Sequence, residues 1–380
     1  MNKLTQLILD DMRPALGVTE PGAIAFAVAT AREHASGTLQ EIHIILNSGM
    51  YKNAFTCGIP NSNEVGNAHA AALGYVAGDA SKGLECLDGV TRRHNMLVKE
   101  LLKEGKVIVT LGEISSRIYI HVIITTNEGT ATVTIRDAHT NIIEITENGR
   151  VVFSQRQKEG VKVIKSRRTT FAHYLYNKNG QQIISSDEQT SASLLCNAAI
   201  EARVLGLPHP AMSITGSGAH GIIATLPLYA SARVNGYTNE QLLRATALSY
   251  LVCMYIKEYS GKLSAFCGCA IAAGTGMACG LAYLKGGTLK TLTLTIQNMA
   301  SSITGMICDG GNHGCTMKGI VAVDAAYQSV GLALEGIAIG HVHGINGKTP
   351  EETMRNMGLI ASPGMVKTEG VIVDIMKGKQ

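Results

Sequence analysis

The sequence predicts an α+β fold: an N-terminal α/β part built on a mainly antiparallel sheet, followed by a C-terminal all-helical part. Three observations lead there. Short segments alternating between apolar and polar residues crowd between Glu41 and Thr146. Turn-forming Asn-Glu-Gly and Asn-Gly sequences join neighbouring segments as hairpins. From about Ser186 onward the strand pattern ceases, and apolar residues recur at helical spacing.

The first helix start falls at Thr19-Glu20-Pro21, where a hydroxyl cap, an acidic residue and proline in the first turn favour initiation of the apolar run GAIAFAVATAREHA. Strands are predicted at Glu41–Leu46, Val107–Leu111, Arg117–Thr126, Thr130–Arg136 and Ile142–Thr146. Asn127-Glu128-Gly129 and Asn148-Gly149 mark hairpin turns. The polar stretch Ser154–Lys165, rich in Lys and Arg, reads as an exposed connection. Helices follow at Ser191–Leu205, Asn239–Glu258, Leu263–Leu284, Thr288–Met306, Thr316–Leu334 and Pro350–Ala361, separated by glycines. A mixed α/β domain over 1–185 and a helical domain over 186–380 are expected, since 380 residues bury one large core or two moderate ones.

Composition excludes several classes. Hydrophobic residues make up 46% and charged residues 16%, which is globular rather than disordered. A net charge of +4 without a basic run, and 4% aromatics, provides neither the basic stripe nor the stacking platforms of a nucleic-acid groove. The N-terminal MNKLTQLILDDMRPAL lacks the long apolar core and small-residue cleavage site of a signal peptide, so a cytoplasmic location is expected. The uncharged segment Leu263–Leu284 has the length to span a bilayer and contains Gly276-xxx-Gly280. Its Gly, Ala, Cys, Ser and Thr content gives little transfer energy, so a tightly packed buried helix is expected and no membrane association. Such helices pack closely in a core or across a homodimer interface.

Nine cysteines in a reducing compartment point to metal binding or chemistry before disulfides. Cys57, Cys86, Cys196, Cys253 and Cys279 stand singly in apolar surroundings and read as small buried hydrophobes. Cys267-Gly268-Cys269 and the loop CDGGNHGC, bracketed by Cys308 and Cys315, differ. Their glycines let the backbone fold closely about an ion, and thiolates from two segments suit zinc or an iron–sulfur centre. The spacing matches no common zinc-ribbon pattern, and four buried thiols are the alternative.

PALGVTEPGAIAFA, LSAFCGCAIAAGTGMACGLAYL and GMICDGGNHGCTMKG, in this order, resemble the L-cysteine desulfidase family, which is related to the α-type domain of iron–sulfur L-serine dehydratases. SGMYKNAF, AHTNI and TGSGAHGIIATLP extend the resemblance over nearly the whole chain. It implies a [4Fe-4S] cluster held by Cys308, Cys315 and one of the CGC pair, with Cys267 favoured and Cys269 as the alternative. The implied activity is β-elimination from L-cysteine to pyruvate, ammonia and sulfide. L-serine or L-threonine on the same cluster, a non-catalytic metal-binding protein and a structural zinc site are the rival readings. One departure stands out: Val18 precedes the Thr-Glu-Pro triplet, where the family usually has a cysteine.

Other candidates come from side-chain chemistry. His139 with Asn141 offers a base and an orienting partner, against a structural histidine at a strand end. Ser217, between Gly216 and Gly218, sits in a loop able to approach a carboxylate, or in an ordinary helix-start turn. Lys52 with Asn53 is a candidate carboxylate binder, and Lys318 a candidate partner for substrate or cluster charge. Glu20 is read as a capping residue that favours the helix dipole.

Overall fold

The structure, a computed structural model, describes residues 3–153, 171–207 and 209–379. Helix α1 (Lys3–Asp11) leads into β1 (Arg13–Leu16) and the apolar helix α2 (Thr19–Glu33). β2 (Leu39–Leu46), α3 (Ser48–Asn53), α4 (Asn67–Ala77) and α5 (Arg92–Lys103) follow. Next come β3 (Val107–Leu111), β4 (Tyr119–Thr126), β5 (Thr130–Arg136), β6 (Ile142–Glu147) and β7 (Arg150–Phe153). The second half comprises α6 (Phe171–Lys178), α7 (Glu188–Val204), β8 (Pro210–Ser213), α8 (Gly218–Asn235) and α9 (Asn239–Ser260). It ends with α10 (Gly274–Leu284), α11 (Leu289–Ile303), α12 (Gly314–Leu334), α13 (Pro350–Leu359) and α14 (Val366–Lys377).

The fold is α+β. Six strands form one sheet in the order β3-β2-β4-β5-β6-β7. Alternation in β4 buries Ile120, Val122 and Ile124 on one face, against which the apolar helix α2 packs across β4 and β5. Each such side chain contributes about 1.5–3 kcal/mol by leaving water. Asn148 and Gly149 both take positive φ (50° and 79°), the backbone that a two-residue hairpin between β6 and β7 demands. In the second half α10 is the central helix, touching α8, α9, α11 and α12. Gly276 and Gly280 face the backbone of α9, where β-carbons would press on the carbonyls of Ser249 and Ala245. The small-residue stripe therefore serves close helix packing inside the core. No helix among the described residues is long and apolar enough to cross a membrane.

The sheet is mainly antiparallel, as expected, with β2 and β3 paired in parallel and α4 and α5 in the crossover between them. Three details depart from the sequence expectation. The second half is not wholly helical: β8 pairs antiparallel with β1, a strand of four residues opening on Pro210 and too short for an alternation signal. The helix expected from Leu263 starts only at Cys269, with a π-helical turn Cys269–Ala273 ahead of α10, because the preceding residues are drawn into a bridge with another segment. At α2 the N-cap is Val18, and Thr19 instead turns its hydroxyl to accept a hydrogen bond from Arg203 at 2.7 Å. The expected connection Ser154–Lys165 lies outside the described residues.

Candidate active site

Two cysteine-bearing segments far apart in sequence are laced together by the backbone. Phe266 and Ile307 form an antiparallel bridge, Cys267 N–H donates to Met306 O at 2.9 Å, and Cys308 N–H donates to Ala265 O at 2.6 Å. This ladder fragment sets Cys267 beside Cys308. Cys269 sits at the head of the π-helical turn, and Cys315 in the first turn of α12. The turn between Cys267 and Cys269 has to be glycine: a β-carbon on Gly268 would fall 2.7 Å from Nε2 of His220 and 3.2 Å from Nζ of Lys257.

The four thiols act on one another electrostatically. A hydrogen bond from Cys269, the Lys318 ammonium and the Ala270 amide together lower Cys267 to about 6. The hydrogen bond to Cys267 and burial drive Cys269 well up, and burial pushes Cys315 up to about 12 and raises Cys308. Burial works against the charge of Lys318, but Cys267, Cys308, Cys315 and the bonded Asp309 carboxylate outweigh it and raise its pKa. Lys257, fully buried and donating to Lys262 O at 3.1 Å, also lies within reach of the cysteine charges. Among the described residues no group of three His, Cys, Asp or Glu side chains is arranged to hold a single metal ion.

The N-terminal elements close over the cysteine loop. Gly311 N–H donates to Asn53 O at 3.2 Å, and a β-carbon on Gly311 would fall 3.0 Å from Cγ1 of Val18. Val18 thus lies directly against the loop between Cys308 and Cys315. Asn53, at the end of α3, connects two groups: its Oδ1 accepts from the Cys308 thiol at 3.8 Å, and its Nδ2 donates to Glu20 at 3.0 Å. Glu20 in turn faces His139 Nε2 at 3.8 Å, and both are buried. Burial would raise the Glu20 carboxyl, but His139 and Asn53 hold it below its ordinary value. His139 Nε2 makes no close hydrogen bond; the Glu20 carboxylate is the charged group it faces. Glu20, not Asn141, is the group facing His139; the Asn141 amide donates to Arg136 O.

Lys52 is fully buried and donates to Glu369 of α14 at 2.7 Å and to Ser264 O at 3.0 Å. Those partners make it a tie between α3, the Cys267 segment and the C-terminal helix, and remove it as a carboxylate binder. It lies within electrostatic reach of Cys308 and packs against Gly310 of the cysteine loop. Ser217 is the N-cap of α8, although its side chain makes no capping bond. Neighbouring Gly216 approaches the His139 ring, with a β-carbon position 3.2 Å from Cε1, so the Gly-Ser-Gly turn and His139 belong to one site. Lys318 lies within electrostatic reach of Cys267, Cys308 and Cys315.

Other residues gave no sequence signal. Arg203, in α7, is buried and lies within electrostatic reach of Glu20, Cys57, Cys269 and Cys315. Cys57, read as an incidental hydrophobe, is buried against the same loop, with its Cβ 3.7 Å from the β-carbon position of Gly311. An arginine in a helix and a lone cysteine carry no motif; only the fold gathers them.

The family model described as serine dehydratase alpha chain matches residues 81–374, which include all four clustered cysteines, His139, Arg203 and the Gly-Ser-Gly turn. The UPF0597 protein of Clostridium botulinum strain Hall is 40% identical over 99% of this chain and 98% of its own length. UPF0597 proteins of Caldanaerobacter subterraneus subsp. tengcongensis and Phocaeicola vulgatus are 34% and 33% identical, over 99% and 100% of this chain and 98% of each relative. By this match over most of its length, the chain belongs to the serine dehydratase alpha chain family.

Proposed function

We propose that the protein is an iron–sulfur-dependent lyase that eliminates the β-substituent of a small L-amino acid, L-cysteine in the first place. One observation carries the reading: the Phe266–Ile307 bridge gathers the thiols of two glycine-rich segments beside the buried Glu20–His139 pair. The donor set suits the group. It consists of thiols, one of them with its pKa held below the ordinary thiol value, with Lys318 and Lys257 at hand to offset the negative charge of a thiolate-ligated cluster. Cys267, Cys308 and Cys315 would hold a [4Fe-4S] cluster, with Cys269 as the alternative to Cys267. When bound, such a cluster supplies an open iron position that acts as a Lewis acid toward the leaving group.

The chain's own residues handle the proton. His139 takes the α-proton, and the Glu20 carboxylate, which faces its Nε2 at 3.8 Å, stabilises the imidazolium that results. As the α C–H bond breaks, its electron pair forms the Cα–Cβ double bond, and the β C–S pair leaves with sulfur. Hydrolysis of the aminoacrylate then gives pyruvate and ammonia, so L-cysteine and water become pyruvate, ammonia and hydrogen sulfide. With L-serine, water leaves in place of hydrogen sulfide, and the protein's part is unchanged. The resemblance of the ordered motifs favours L-cysteine.

The test is anaerobic reconstitution with iron and sulfide, followed by measurement of bound iron and of pyruvate released from L-cysteine and from L-serine. Turnover on either names the leaving group. A verified cluster with no pyruvate from either substrate would overturn the lyase reading and favour a non-catalytic metal-binding role. A colourless protein with stoichiometric zinc would leave a structural site.

A further inference from the structure

The N-terminus of α8 and the side chain of Arg203 bring two sets of unpartnered donors together. α8 is 18 residues long, and no side chain caps its N-terminus, so the first-turn amides carry the positive end of the helix dipole without a capping acceptor. Independently, Arg203 is 3% exposed, donates through Nη2 to Thr19 Oγ1, and leaves its buried Nη1 without a partner. An unpaired guanidinium donor in a buried position is costly, and a ligand that accepts from it removes the cost. The guanidinium is aimed at the helix end: a β-carbon on Gly218, the first residue of α8, would fall 2.5 Å from Cζ of Arg203. Any other residue at 218 would displace the group. His139 packs its Cε1–Nδ1 edge on the adjoining Gly216, so the imidazole stands next to the same groups.

We infer that Arg203 and the first turn of α8 bind the α-carboxylate of the substrate, which presents the α-carbon to His139. The inference rests on the proposed lyase reading for the identity of the ligand, an α-amino acid, but its binding site stands on the geometry alone. The rival role for Arg203 is a counter-charge to the cysteine thiolates, and the two roles separate experimentally.

The probes are L-serine and L-serinamide, which differ in carboxylate against neutral amide, titrated calorimetrically into the full-length protein with and without the cluster. The wild type is expected to bind L-serine and to lose about tenfold or more in affinity for the amide. R203K, which keeps the charge but not the fork, and R203Q are each expected to weaken L-serine about tenfold or more, leaving the amide unchanged. G218A, which pushes the guanidinium aside, should do the same with Arg203 intact. If R203Q fails to fold by circular dichroism, R203K and G218A decide. Equal affinity for serine and serinamide in the wild type overturns the inference. So does unaltered serine affinity in the variants with loss of bound iron, which would make Arg203 a counter-charge. Arginine-dependent carboxylate binding in a protein that releases no pyruvate would sink the lyase reading and leave this site standing.

Discussion

Val18 lies directly against Gly311: a β-carbon on that glycine would fall 3.0 Å from Cγ1 of the valine, inside the loop that joins Cys308 to Cys315. Val18, where the desulfidase resemblance leads to the expectation of a cysteine, is therefore at the cysteine site and not beside it. V18C places a thiol at the loop at a packing cost of about 0.5–1.5 kcal/mol, comparable to the loss of a methyl group. Under the proposed function, the reconstituted V18C cluster should survive a chelator longer than that of the wild type. Equal bleaching rates in a visible-absorbance time course would show that position 18 does not reach the iron.

Glu20 and His139 act together if His139 is the base. H139Q and E20Q are each expected to lower pyruvate release by about 10²–10⁴-fold while bound iron stays at the wild-type level. Iron analysis alongside single-turnover pyruvate measurement separates this outcome from mere loss of the cluster.

The buried Lys52–Glu369 pair ties α3 to α14. Removing one partner leaves an uncompensated buried charge, so K52M should cost about 3–5 kcal/mol, seen as a lowered midpoint in urea unfolding. K52M/E369M should recover most of that loss. A K52M protein as stable as the wild type would mean that Glu369 is neutralised without the lysine.

Cys267 should titrate near pH 6 in cluster-free protein. Because its folded pKa lies below the unfolded thiol value of about 8.5, it contributes stability that is fully present above about 8.5. That contribution declines as pH falls and is lost as pH passes through about 6. Ultraviolet thiolate absorbance, wild type minus C267S, should show a step near 6, moved upward by K318M. No step below pH 8 would contradict the charge arrangement described for the four thiols.

Much of the fold is legible in the sequence where local rules govern. Val107–Leu111 and Thr130–Arg136 emerge as strands with the expected bounds, because one-sided burial writes itself as alternation. Asn148-Gly149 forms its hairpin because those residues tolerate positive φ. β8 escapes because four residues beginning with proline form no pattern, and the parallel β2–β3 pairing because strand direction depends on the crossover path.

By itself the sequence determined the division into a sheet-bearing and a helical part, and the two glycine-rich cysteine segments as the centre of interest. Only the tertiary structure decided which residues serve that centre. It joined Phe266 to Ile307, committed Lys52 to Glu369, turned Glu20 from a cap toward His139, and aimed Arg203 at the start of α8. The reason is physical. Propensity and periodicity act over a few residues, whereas the environment of a buried charge is set by whichever distant groups the fold packs around it.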